Sequence, residues 1–71
     1  MTDAEKLELL AEAMDVGVDE LHEDDKLTTN EAWDSLSMLA FMASVSSKCK
    51  KKIPPNDVMA VVTVRDALNL I

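Results

Sequence analysis

The chain has 71 residues, one domain's worth (1–71) and near the lower size at which an apolar core holds without staples. Its single cysteine, Cys49, excludes an internal disulfide and a thiolate metal cage, and fits a reducing compartment, so the cytoplasm is the expected location. The net charge is −7 but unevenly placed: residues 1 to 34 hold twelve acids against two lysines (−10), and residues 35 to 71 hold two acids against five bases (+3).

That acidic front half argues against a nucleic-acid partner. "MTDAEKLELL" at the start is charged, so neither a signal peptide nor membrane insertion is expected. Thr2-x-x-Glu5 reads as a capping box. Leu7, Leu10, Ala11 and Met14 follow at the spacing of one helical face, with Lys6, Glu8 and Glu12 turned away. The spacing predicts an amphipathic helix over 3–14, ending near the only glycine, Gly17. The stretch from Val16 to Trp33 has no sustained period; a loop of that length is functional or hides a short helix. Val16, Val18, Leu21 and Leu27 are expected to pin it to the core.

A second helix begins at "DSL", with Asp34 as N-cap and Ser35 and Leu36 in the first turn. Met38, Phe41, Met42, Val45 and Cys49 form a stripe for burial. Leu36, Leu39, Ala40 and Ala43 form a second apolar line on an adjacent face. A small bundle does not need both faces for its core, so the surplus one reads as a docking surface. "KKKIPPND" stops the helix through its prolines. "NDVMAV" fits one short helical turn, and Thr63-x-x-Asp66 starts a last helix that buries Val64, Ala67, Leu68 and Ile71. The fold class is all-α: a small four-helix bundle of three principal helices and one short one.

The inventory excludes most catalysis. One glycine cannot make a phosphate-binding loop, a dinucleotide fingerprint or a nucleophile elbow. His22 lies in the acidic loop and reads as solvated; Cys49 on the buried stripe reads as a packed thiol. Asp19 to Asp25 lack calcium-loop spacing, so no metal site is expected. Trp33 reads as a core anchor, and the run Lys48–Lys52 as a solvated helix end. Met14, Met38, Met42 and Met59 read as core filler, or as a soft interior able to part for an apolar chain. Ser35 is different. A serine at a helix N-terminus is a favoured place to carry an attached phosphate, because free N–H groups and the helix dipole stabilise negative charge. Such a serine is a tether rather than a nucleophile in its own catalysis.

With "DSL" opening the second helix, "IP" eighteen residues after the serine and "TVRDALNLI" at the end, the chain resembles an acyl carrier protein over essentially its whole length. The resemblance implies that Ser35 receives 4′-phosphopantetheine from coenzyme A through a phosphopantetheinyl transferase. The arm's thiol then holds an acyl or aminoacyl group as a thioester for a loading enzyme and downstream synthase or transferase enzymes. Asp34 and Leu36 match the flanking motif positions, Leu36, Leu39 and Ala43 the partner-docking positions, and Ile53, Val58 and Val61 positions bordering the arm or an acyl chain. The implied protein is a carrier, not an enzyme, and a monomer. Ala32-Trp33 before the aspartate and the acid-free "SLSMLAFMASVSSKCKKK" depart from fatty-acid biosynthesis carriers. They point to a specialised lipid or secondary-metabolism pathway. An aminoacyl or peptidyl carrier, and a small helical interaction protein without a prosthetic group, are the alternatives.

Overall fold

A computed structural model describes all residues, 1–71, as four helices: α1 (Asp3–Met14), α2 (Ser35–Cys49), α3 (Pro55–Met59) and α4 (Val64–Asn69). The expected all-α bundle is present, with two long helices and two short ones. A 3₁₀ turn at Val18–Glu20 is the short helix within the long connection. α1 and α2 form the main interface, α4 packs on α1, and α3 packs on α2.

Each main helix starts where a side chain satisfies its free N–H groups. Thr2 and Glu5 cap α1 reciprocally, at 2.9 and 3.2 Å. Thr63 and Asp66 do the same for α4, at 3.1 and 3.2 Å. The end of α1 departs from expectation. Asp15, not Gly17, takes the left-handed conformation (φ 57°) that closes the helix. Val16 N–H donates to Ala11 O at 3.0 Å and Asp15 N–H to Glu12 O at 3.2 Å, a Schellman pair. Aspartate tolerates this conformation better than most residues, which leaves Gly17 to open the 3₁₀ turn instead.

Fifteen buried apolar residues form one cluster, centred on Leu10, Leu27, Phe41, Val45, Val58 and Val64. Trp33 is buried as expected and meets Phe41 edge-to-face, with ring centroids 5.8 Å apart. Leu9 joins the core although it lies off the expected stripe. Leu21 and Leu27 pin the long connection and Val16 packs half-buried, but Val18 is 40% exposed. Leu21 leaves the turn in extended conformation and fills the core site, so Val18 stays outside. On α2 only Phe41 and Val45 of the stripe are fully buried; Met38, Met42 and Cys49 are half-buried. Met59 is no core residue: it is 68% exposed.

The connection is stitched to the start of α4 through backbone bonds. Leu27 N–H donates to Val62 O at 2.8 Å, Val64 N–H to Asp25 O at 2.9 Å, and Arg65 N–H to Glu23 O at 3.1 Å. No helix is long and apolar enough to cross a membrane.

Candidate functional site

Ser35 is the first residue of α2 and is exposed. The cap beneath it is made by its neighbours. Ser37 N–H donates to Asp34 Oδ1 at 2.9 Å, and Asp34 N–H donates to Ser37 Oγ at 2.8 Å. The Ser37 hydroxyl also approaches Asp34 O and Oδ1, at 3.1 and 3.2 Å. Ser35 takes no part in this box, so its hydroxyl is left open to solvent. Ser37 is the one buried polar side chain, 6% exposed. Its role was not legible as a cap, because serine stands where a capping box more often has glutamate or glutamine.

The bonds from Ser37 N–H and Oγ hold the Asp34 carboxyl below the usual carboxylate range. Asp34 is therefore an anion beside Ser35 at neutral pH.

From Ser35 an open groove of about 470 Å³ runs between α2 and α3. Ser35, Met38, Leu39 and Met42 form its α2 side, and Pro55, Val58 and Met59 its α3 side. Val58 is thus at the groove, whereas Ile53 and Val61 are buried in the core and do not line it. Pro55 was expected only to stop the preceding helix. It is the first residue of α3, where its missing N–H has no partner to lose, and so it places the groove's second wall. No charged side chain lines this groove.

Of the surplus face of α2, Leu36 (77% accessible), Leu39 (61%) and Ala43 are exposed as expected, whereas Ala40 is half-buried. His22 pairs with Asp25 in the loop, Nδ1 to Oδ2 at 3.5 Å, and is absent from the groove lining. Cys49 Sγ lies 3.8 Å from Met1 Sδ at the opposite end of α2 from Ser35. Lys48 is paired with Glu12 at 3.1 Å, while Lys50 closes α2 in a left-handed conformation (φ 55°).

Residues 7–71 match the family described as the phosphopantetheine attachment site. The chain is also 31% identical over 64 residues to an acyl carrier protein from Sulfurovum sp. (strain NBC37-1), covering 90% of this chain and 85% of that protein. The chain belongs to the acyl carrier protein family. Its cofactor is 4′-phosphopantetheine, and it is a carrier rather than an enzyme. Carriers of this kind work with a transferase that installs the arm and with synthase enzymes that use it.

Proposed function

We propose that this carrier bears its arm on Ser35 and holds acyl intermediates of a specialised lipid or secondary-metabolite pathway. The observation that carries the attachment site is the exposed Ser35 hydroxyl, left out of the Asp34–Ser37 cap at the mouth of the groove. Attachment forms a bond from Ser35 Oγ to the coenzyme A phosphorus that bears the pantetheine chain and breaks that phosphorus's bond to the bridging pyrophosphate oxygen, so that adenosine 3′,5′-bisphosphate leaves. The serine proton passes to a base on the transferase. The residues fit the group. The arm's phosphate would sit near the first-turn N–H groups of a fifteen-residue helix, and its chain would have an apolar groove alongside. When bound, the arm supplies a thiol for thioester chemistry.

An acyl cargo suits that groove better than an aminoacyl one. An aminoacyl thioester carries an ammonium, and the lining has no charged group to meet it. Val58 is the arm-bordering residue of choice, with Ile53 and Val61 supporting it from the core. Leu36, Leu39 and Ala43 are the contact surface for enzymes acting on the loaded arm, with Asp34 and Leu36 read by the transferase. A specialised pathway is supported by an α2 without acids between Ser35 and Lys52, which offers little to the basic surfaces of fatty-acid synthases. The lone thiol suits a cytoplasmic monomer.

The test is mass spectrometry after incubation with coenzyme A and a broad-specificity transferase, followed by peptide mapping. One arm on Ser35 is expected. A mass unchanged in the wild type, or still gained by Ser35→Ala, overturns the reading. Loading by acyl-adenylating rather than aminoacyl-adenylating enzymes then decides the cargo.

A further inference from the structure

Methionine is concentrated at the groove beside Ser35. Three of the chain's five methionines, Met38, Met42 and Met59, line that one space, whereas the largest fully enclosed side chains are those of Leu, Val and Phe. Met38 and Met42 are four residues apart and so share one face of α2. Met59 ends α3 and belongs to the opposite wall. The groove on the other side of α2, about 320 Å³ between α2 and the end of α1, is built differently. Ala13, Ala32 and Ala40 line it, and its one methionine, Met14, is buried.

Exposure sets these sulfurs in order. Met59 is 68% exposed, Met38 and Met42 are half-buried, and Met14 is 4% exposed. Val58 takes the inward position of α3 and leaves Met59 outside. Met1 is also exposed, but it lies at the far end of α2 against Cys49. Met59 is thus the one methionine that is both open to solvent and part of a wall for the arm and its cargo.

A thioether open to water accepts an oxygen atom from a peroxide, and the resulting sulfoxide is polar. We propose that Met59 is an oxidation site, with a peroxide as oxygen donor, and that its sulfoxide loosens the carrier's hold on an acyl cargo. The inference rests on the acyl reading of the groove. The Met59 sulfur lone pair forms the S–O bond as the peroxide O–O bond breaks. The sulfur is oxidised by two electrons, the peroxide is reduced, and its second oxygen leaves as water with both protons. Ser35 is the one polar side chain of the lining, and no charged one is present. With Ser35 carrying the arm, no lining side chain is left to donate a hydrogen bond to a sulfoxide oxygen. An acyl chain laid over Met59 would strip water from that oxygen without replacing it, which disfavours binding.

The experiment oxidises the protein before the arm is attached, so that the arm's thiol never meets peroxide. The apo carrier is treated briefly with hydrogen peroxide, the peroxide is removed, and a thiol reductant restores Cys49. A broad-specificity transferase then installs either the bare arm from coenzyme A or a loaded arm from a medium-chain acyl-coenzyme A. Peptide mapping by mass spectrometry should find one added oxygen on Met59 well before Met14. The rise in Tm from bare to loaded arm should then fall by roughly half or more, while the Tm of the bare-arm form changes little. In Met59→Leu, which keeps an apolar wall without sulfur, the same treatment should leave that variant's own rise unaltered, although Met1 is still oxidised. Methionine sulfoxide reductases for both epimers should restore the wild-type rise. A rise that survives complete oxidation of Met59, an equal loss in Met59→Leu, or oxidation of Met59 no faster than Met14 overturns the oxidation site alone. A rise absent before any peroxide overturns the acyl reading and this inference with it, and an arm mapped to another serine overturns Ser35.

Discussion

Arg65 on α4 and Glu23 in the long connection form a double link. The Arg65 Nε donates to Glu23 Oε1 at 2.8 Å, and the Arg65 backbone N–H donates to the Glu23 carbonyl at 3.1 Å. The same guanidinium reaches Asp3 on α1 through Nη2, at 3.2 Å. One side chain thus ties three segments that the sequence keeps far apart.

The Arg65 guanidinium holds the Glu23 carboxyl below its ordinary value of 4.5. A depressed carboxylate contributes stability above its unfolded pKa, and that stability is lost as pH falls through the lower folded value. Wild type should therefore melt at falling temperatures as pH drops below about 4.5, the usual glutamate range. Arg65→Gln should melt earlier at neutral pH and lose less on acidification. Melts across a pH series check this; parallel curves for the two proteins would show that the link does not stabilise the fold.

Ser35 and Ser37 stand two residues apart and should respond oppositely. Ser35→Ala removes an exposed hydroxyl outside the cap, so its stability should stay within about 0.5 kcal/mol of wild type while the mass gain is lost. Ser37→Ala breaks the capping box and should cost about 1 kcal/mol, or roughly 4–8 °C in Tm for a domain of this size. Thermal melts paired with mass spectrometry test both. Loss of stability in Ser35→Ala with none in Ser37→Ala would contradict the assigned cap.

Acyl cargo should stabilise the carrier. The groove beside Ser35 is walled by methionines, whose unbranched side chains adapt to an inserted chain. Each methylene that leaves water is worth about 0.8 kcal/mol, so a medium-length acyl group should raise Tm above that of the form bearing the bare arm. Equal melting temperatures would mean that the cargo stays in solvent. Met59→Ser, at an exposed groove wall, should reduce the gain with little effect on the unloaded protein.

Enzymes that act on the loaded arm should depend on Leu36 and Leu39 more than on charge. α2 has no acid between Ser35 and Lys52, and these two leucines are its most exposed apolar area. Apolar contact is not screened by salt, whereas exposed charge pairs are. A transfer assay with a cognate enzyme across a salt series, beside Leu36→Ala and Leu39→Ala, should show a shallow salt response and impaired leucine variants. A steep salt response with unimpaired leucine variants would return docking to electrostatics.

Local chemistry determined the helix starts, and these were legible. Thr2, Asp34 and Thr63 each satisfy N–H groups within three residues of themselves, a relationship confined to one turn. Periodicity likewise separated Phe41 and Val45 from the exposed Leu36 and Leu39, because the faces of one helix follow from spacing alone. Tertiary packing decided the rest. Whether Met59 or Val18 is buried depends on which neighbour fills the space, and Val58 and Leu21 fill it. Asp15 displaced Gly17 as the helix end because the core set where α1 must turn. The backbone bonds between Glu23, Asp25 and Leu27 and the segment Val62–Arg65 join residues 35 to 42 positions apart. Both grooves exist only between helices: Met38 and Met59 line one, and Ala40 and Ala13 the other, gaps that no single helix encodes. The sequence by itself therefore determined the tether's local setting at Ser35, while only the packed bundle decided what lies on either side of it.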